Sequence, residues 1–140
     1  MDASWAAAHW ARAESAAILA GTLPRRWNHV QHVAARALTL ADLLAADAEL
    51  VVAAAWLHDV GYAPDLAASG FHPLDGARYL RRQGADDRLC GLVAYHSAAL
   101  VEAGMRGLAE DLQGEFTDEA SPLTDALWWA DLTTAPTDSS

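Results

Sequence analysis

The sequence predicts an all-α protein, a compact bundle of about six to seven helices. Apolar residues recur every three or four positions, which is the spacing of one helical face. Proline and glycine fall at intervals that suit helix starts and ends. The only strand-like run, ELVVAAAW at 49–56, is rich in Ala, which favours helix. At 140 residues, the chain is expected to form a single domain over 1–140.

The first two predicted helices are bounded by glycine and proline. Residues 3–20 are Ala-rich and end before Gly21, which suits the position just past a helix C-terminus. Pro24 suits the first turn of a second helix. The apolar face of that helix consists of Trp27, Val30, Val33, Ala34, Ala37, Leu38, Ala41 and Leu44.

A third helix is predicted to carry an apolar run towards a histidine and an aspartate. Asp47 is placed to cap this helix, which extends through Leu57 and stops near Gly61. The following segment, 62–71, contains proline, serine and glycine and is predicted to be a loop.

The fourth and fifth helices have equally clear boundaries. Pro73 lies at the start of the fourth helix and Gly84 lies after its end. Asp86 or Asp87 is placed to cap the fifth helix, which is predicted to reach Ala103.

The C-terminal part is predicted to contain a short sixth element over 105–112 and a last helix that begins at Pro122. Residues 135–140 are expected to be a frayed or truncated tail. The first and last helices are apolar and rich in Trp. This composition fits either core packing or a homodimer interface.

The charge of the chain excludes two classes of partner. The formal net charge is −10, and all nine cationic residues are Arg. Because nucleic-acid polymers and anionic membranes bind basic surfaces, neither is expected as a partner, whereas a small anionic substrate is compatible with a few Arg or metal ions. A single cysteine, Cys90, excludes an intramolecular disulfide and favours a cytoplasmic location. The N-terminal segment resembles neither a signal peptide nor a membrane span.

Six ionisable residues do not fit an ordinary apolar core. They are His29, His58, Asp59, His72, His96 and Asp131, which begin helices or lie on apolar helical faces. Each one alone is more simply explained by a core or surface role. A buried carboxylate is costly without compensation, however, and a divalent cation provides it, since imidazole and carboxylate suit Fe, Mn, Zn or Co. Taken together, these residues predict a metal site.

Five segments resemble the motifs of a known family. They are RWNHVQHVAARALTLA, AAAWLHDVGY, HPLDGARYLRRQG, LVAYHSA and ADLTTAP. Over about residues 23–136 they are similar, in this order, to the HD-domain metal-dependent phosphohydrolases of the two-metal type. The resemblance implies an HD-like helical bundle in which His29, His58 and Asp131 bind one metal, His72 and His96 bind a second, and Asp59 bridges them.

The same resemblance implies a phosphohydrolase, of phosphomonoesterase or phosphodiesterase type, for a small phosphate ester or nucleotide. Two divalent transition-metal ions are expected to hold a bridging hydroxide, with Fe or Mn first and Zn, Co or Ni also compatible. Asp59 is the expected catalytic carboxylate. Arg25 or Arg26, one turn before His29, is expected to anchor the substrate phosphate. A solvated helix N-terminus is the alternative role for this pair.

Three departures from the family pattern narrow the function. Tyr62 follows HDVG where the family often has Lys, which removes a phosphate-binding ammonium. No GYP motif or second histidine follows His96, which disfavours a cyclic di-GMP phosphodiesterase. Leu100 stands at the position where HD-type mixed-valent diiron oxygenases, which the sequence also resembles, share a Lys. Such an oxygenase and a non-catalytic metal-binding regulatory module are the two alternatives that the sequence leaves open.

Overall fold

A computed structural model describes residues 5–134 of the chain. No β-strand occurs between these residues, so the predicted all-α class is confirmed. The helices of this range are α1 (Ala6–Ser15), α2 (Pro24–Leu38), α3 (Ala41–Leu44), α4 (Ala48–Leu57), α5 (His72–Arg82), α6 (Asp87–Ala94), α7 (Ala99–Met105), α8 (Ala109–Glu115) and α9 (Pro122–Leu132). The tail predicted at 135–140 lies outside the described residues. Within 5–134, no helix is long and apolar enough to cross a membrane.

Helix α4 lies at the centre of the bundle because its sequence, AELVVAAAWL, is apolar on nearly every side. Such a helix must be covered all round, and α4 packs against α1, α2, α6 and α9. Its bounds agree with the prediction, although the side chain of Asp47 makes no capping hydrogen bond. Since the C-terminal end of α4 lies inside the bundle, His58 and Asp59 are buried.

Two helices that were predicted to be continuous are interrupted, and the prediction was wrong there. Helix α2 ends at Leu38, and the short helix α3 follows it. Helix α6 ends at Ala94, before a 3₁₀ turn over His96–Ala98 that leads into α7. Neither break contains glycine or proline, so the sequence carries no local signal for it. The described part of the chain therefore has more and shorter helices than expected.

Gly61 has a packing role that differs from the predicted helix end. It lies in a 3₁₀ turn, Val60–Tyr62, after α4 has already ended at Leu57. A Cβ atom at this position would lie 2.0 Å from the carbonyl oxygen of His72 and 2.7 Å from the backbone nitrogen of Gly76. The missing side chain therefore lets the start of α5 pack directly on this turn, beside Asp59.

The later helices begin largely where the sequence predicts. Asp86 caps α6, with its carboxylate accepting a hydrogen bond of 2.8 Å from the backbone N–H of Arg88. Ser121 and Thr124 form a capping box at the start of α9. The sixth element, predicted at 105–112, is the helix α8, which lies further along the chain at Ala109–Glu115.

Candidate metal centre

Six side chains from five segments of the chain lie together at the C-terminal end of α4. They are His29 on α2, His58 and Asp59 directly after α4, His72 at the start of α5, His96 after α6 and Asp131 on α9. Their ligand atoms form three overlapping groups of three, and the atoms of each group lie within 4.8 Å of one another. The structure thus brings together all six residues that the sequence proposed as ligands.

Asp131 is surrounded by two imidazoles and a hydroxyl. Its Oδ1 atom lies 2.9 Å from Nε2 of His29 and 3.3 Å from Nε2 of His58. Its Oδ2 atom accepts a hydrogen bond of 2.5 Å from the hydroxyl of Ser97. Three side chains from three different segments therefore fix the orientation of this carboxylate.

Asp59 lies between two groups of histidines. Its Oδ1 atom is 3.5 Å from Nε2 of His58 and also 3.5 Å from Nε2 of His72. Its Oδ2 atom is 3.9 Å from Nε2 of His29. Beyond His72, the Nε2 atoms of His72 and His96 are 3.2 Å apart. One carboxylate thus contacts both ends of the cluster.

Backbone contacts aim two of the imidazoles into the cluster. Nδ1 of His58 donates to the carbonyl of Ala55 at 2.7 Å, and Nδ1 of His96 donates to the carbonyl of Val93 at 2.7 Å. Each Nε2 atom is consequently left to face the site, an arrangement typical of metal-binding histidines.

Two buried polar atoms of the cluster lack a hydrogen-bond partner in the described part of the chain, which provides a test of whether the site fits a metal. Nε2 of His58 and Oδ2 of Asp59 make no hydrogen bond within residues 5–134. Nε2 of His58 is near Asp131, but it is too poorly aligned for a hydrogen bond. Leaving buried polar atoms unpaired is costly, and a divalent cation would satisfy both. The residues of this site therefore fit a metal ion.

The electrostatics of the cluster favour a positive charge between the two carboxylates. Burial raises the pKa of Asp59, but the four surrounding imidazoles lower it by more. The pKa of Asp59 therefore lies below the usual range. The pKa of Asp131 is also lowered, because hydrogen bonds from its neighbours outweigh burial. Burial lowers the pKa of His58, whereas Asp59 and Asp131 raise it, to about 9 overall. Burial and a neighbouring imidazole lower the pKa of His72 to about 3, which keeps that ring neutral.

The structure distinguishes between the two arginines that were proposed as phosphate anchors. Arg26 lines the cavity beside the cluster, and its Nη1 atom is 3.6 Å from Oδ2 of Asp59. Arg25 is exposed and does not line this cavity. Successive residues of a helix point about 100° apart, which is consistent with Arg26 lining the cavity while Arg25 does not. Of the two alternatives, the geometry favours Arg26, and the role of either arginine as an anchor stays a prediction.

Three further residues at the site were not predicted to have a role there. Tyr62 stacks on the ring of His72, with centroids 3.8 Å apart, and the guanidinium of Arg26 lies 4.2 Å from the Tyr62 ring centroid. Ser97 holds Asp131, and Glu102 lines the cavity from α7. Only Tyr62 carried a signal in the sequence, as the residue in the place of a family Lys.

A small cavity opens onto the cluster. Its volume is about 120 Å³, and its lining includes the imidazoles of His29, His72 and His96, together with Asp59 and Asp131. Two larger clefts, of about 240 Å³ and 340 Å³, occur elsewhere on the described surface, and neither contains a histidine. The chemistry of the lining, and not the volume, therefore identifies the candidate site.

Fold and site together define a class, that of all-α proteins in which a buried histidine and aspartate cluster can hold a divalent metal. The HD domain family matches residues 26–134, a range that includes all six residues of the cluster. The chain belongs to the HD domain family, within the metal-dependent phosphohydrolase superfamily that its motifs resemble.

Curated relatives match part of the chain. A tRNA (cytidine(56)-2'-O)-methyltransferase from Thermoplasma volcanium is 38% identical over 76 residues, which are 54% of this chain and 22% of the relative. A Ribonuclease Y from Rubrobacter xylanophilus is 33% identical over 85 residues, which are 56% of this chain and 16% of the relative. The matches thus span less than a quarter of each relative. No solved structure matches the chain.

Proposed function

We propose that the chain is a metal-dependent phosphohydrolase that acts on a small phosphate ester or nucleotide. The position of Asp59 carries this proposal, because one of its oxygens lies 3.5 Å from both His58 and His72. A carboxylate between two groups of imidazoles suits a ligand that bridges two cations. The HD domain family supports a metal-dependent hydrolase role in general.

We propose that the six residues act as two groups of ligands. His29, His58 and Asp131 would hold one ion, His72 and His96 would hold a second, and Asp59 would contact both. Fe or Mn is proposed first, and Zn, Co or Ni also suits this set. Bound divalent cations activate water and neutralise the charge on phosphoryl oxygens, which is the chemistry that phosphate ester hydrolysis needs.

Arg26 is the residue that would orient the phosphate. Its guanidinium is 3.6 Å from Asp59, and its side chain is 45% exposed, so a ligand at the rim can reach it from solvent. The guanidinium carbon of Arg26 lies over the ring of Tyr62, 4.2 Å from its centroid, which is a cation–π contact. Arginine binds phosphate oxygens through two parallel hydrogen bonds, which orients the group as well as attracting it. We propose this guanidinium as the anchoring cation of a chain that has Tyr62 in the sequence position where the family often has Lys.

The size of the cavity and the charge of the chain support a small substrate. A cavity of about 120 Å³ has room for a phosphate group, whereas sites for whole drug-sized ligands measure about 300–1,000 Å³. The rest of the substrate would therefore lie at the rim. The two curated relatives described above have names that refer to RNA enzymes, but a formal net charge of −10 opposes the binding of a polyanionic backbone. We therefore propose a small phosphate compound in preference to RNA.

A panel of substrates tests this function. The purified full chain would be stripped of metal, reloaded separately with Mn, Fe or Zn, and assayed with p-nitrophenyl phosphate, bis-p-nitrophenyl phosphate, nucleotides and a short RNA. We expect metal-dependent release of phosphate, nucleotide or p-nitrophenol from the small compounds. Asp59→Asn should abolish this release, whereas Asp65→Asn, at an exposed loop residue, should not. Metal-loaded protein that hydrolyses none of these compounds would refute the proposal.

The same preparations separate the alternatives. Cleavage of the RNA alone would favour a nuclease. Oxygen uptake with an electron paramagnetic resonance signal from an iron pair would favour the diiron oxygenase, for which Arg26 could replace the missing Lys. Metal binding that stabilises the protein, without any turnover, would favour a regulatory module.

A further inference from the structure

The backbone between α6 and α7 has a conformation that its own residues do not favour. Ser97 has φ 49° and ψ 56°, and Ala98 has φ 62° and ψ 28°. The left-handed region is unfavourable for residues other than glycine, asparagine and aspartate, and two such residues in succession are rare. Contacts from elsewhere in the fold must therefore impose this turn, and such sites often have a functional reason.

Two hydrogen bonds tie the turn to α9. The hydroxyl of Ser97 donates to Oδ2 of Asp131 at 2.5 Å, and Nε1 of Trp128 donates to the carbonyl of Tyr95 at 2.9 Å. Trp128 and Asp131 are three residues apart and share one face of α9. Tyr95 and Ser97 flank His96 on either side. The segment that carries His96 is thus fastened to the helix that carries Asp131.

We propose that Ser97 is a positioning residue that fixes Asp131 for metal binding and couples it to His96, an inference that rests on the ligand assignment made above. Because Oδ2 of Asp131 is engaged by Ser97, the other oxygen faces Nε2 of His29 at 2.9 Å. Without the hydroxyl, the carboxylate can rotate about its terminal bond, and the turn loses one of its two links to α9. The positions of His96 and Asp131 relative to each other would then no longer be fixed.

Glycine at position 97 distinguishes positioning from a role in the turn alone. Glycine adopts the left-handed conformation readily but has no hydroxyl. If Ser97 only shapes the turn, Ser97→Gly should bind metal as well as the natural chain does. If Ser97 positions Asp131, Ser97→Gly should lose affinity even though its backbone is better suited to the turn. Ala98→Gly is the matched control, because it relieves the neighbouring left-handed residue and leaves the hydroxyl in place.

The experiment is a titration of metal-stripped full-length protein with Co²⁺ and with Zn²⁺, and the visible spectrum of bound Co²⁺ reports the coordination geometry. Thermal unfolding without metal is measured in parallel. We expect Ser97→Gly to bind metal about 10–100-fold more weakly, the usual effect of losing a contact that orients a ligand. Its Co²⁺ spectrum should also change, while its thermal stability without metal should not fall. Ala98→Gly should retain the affinity and the spectrum.

Trp128→Phe provides an independent test of the second link, since it removes the N–H donor and keeps an aromatic ring. We expect it to weaken metal binding in the same direction. Ser97→Gly that binds both metals with natural affinity and an unchanged Co²⁺ spectrum would overturn the inference while leaving the proposed function intact. Natural protein that binds neither metal would overturn both.

Discussion

Replacing Gly61 with alanine tests how the turn after α4 supports the start of α5. The new Cβ atom would lie 2.0 Å from the carbonyl oxygen of His72, whereas ordinary contact begins at 3.4 Å. Both this oxygen and the nearby nitrogen of Gly76 belong to the backbone, so no side chain can move aside. The turn and α5 would have to separate by about 1.4 Å, which is the difference between 3.4 Å and 2.0 Å.

This separation should reduce both stability and metal binding. Overpacking a well-filled interior costs about 1–3 kcal/mol, and a clash between two backbones should lie at the upper end, about 3 kcal/mol. For a chain of this size the midpoint of thermal unfolding should fall by roughly 10 °C. The Nε2 atom of His72 is 3.5 Å from Asp59. A shift of that size would therefore weaken the ion that His72 and His96 are proposed to hold.

Chemical denaturation and elemental analysis together measure these two effects. Gly114→Ala is the control, because no atom lies within 4 Å of the added Cβ and the residue is exposed in α8. Alanine there should be neutral or stabilise the helix by up to about 1 kcal/mol. We expect Gly61→Ala to unfold at lower urea concentration and to retain less metal per chain. Equal midpoints and equal metal content in Gly61→Ala and the natural protein would refute the packing role assigned to this glycine.

Three further predictions concern the substrate anchor, an ion-pair network and a helix cap. Arg26→Ala should raise KM about 10–100-fold in steady-state assays, because a charged hydrogen bond contributes about 1.5–3 kcal/mol. The metal content of this variant should not change. Arg25→Ala, the control, should have little effect on KM. Hydrogen bonding from Arg78 lowers the pKa of Glu115 to about 2. Because this folded-state pKa is depressed, the pair stabilises the fold fully above the ordinary pKa of 4.5 and progressively less as the pH falls towards 2. Glu115→Gln should therefore cost about 1 kcal/mol in urea unfolding at pH 7, and this difference should shrink below pH 4; an equal loss at pH 7 and pH 3 would contradict it. Ser121→Ala should cost about 1 kcal/mol in the same assay, since it removes the capping box of α9, and an unchanged midpoint would show that the cap contributes nothing.

Much of the fold could be predicted from the sequence because its signals are local. The apolar run of α4 and the proline at the start of α9 each specify a helix without reference to the rest of the chain. The breaks after Leu38 and after Ala94 could not be predicted, because no residue there is a helix breaker. Hydrogen bonds between the second break and α9 hold this turn, and such contacts appear only once distant helices have packed.

The candidate site also contains residues that could be predicted from the sequence and residues that could not. Its six clustered residues could be predicted because five short motifs follow one another in a set order along the chain, although each residue alone is more simply explained by a core or surface role. Ser97 could not be predicted, since its importance depends on the position of Asp131, 34 residues later in the chain. Choosing Arg26 over Arg25 requires knowing how α2 is oriented about its own axis, which the sequence does not show. The number of ions and the domain organisation over 1–140 stay predictions.

The hydrogen bond between His29 and Asp131 joins residues that are 102 positions apart. A contact of such long range forms only after α2 and α9 have come together, so we expect the site to be completed late in folding. Interactions that are absent from the folding transition state act mainly on the rate of unfolding. A bound ion at this point would therefore slow the unfolding of the chain more than it accelerates folding. At a free metal concentration one hundred times the dissociation constant, binding of the ion would add about 2.7 kcal/mol to the free energy of unfolding.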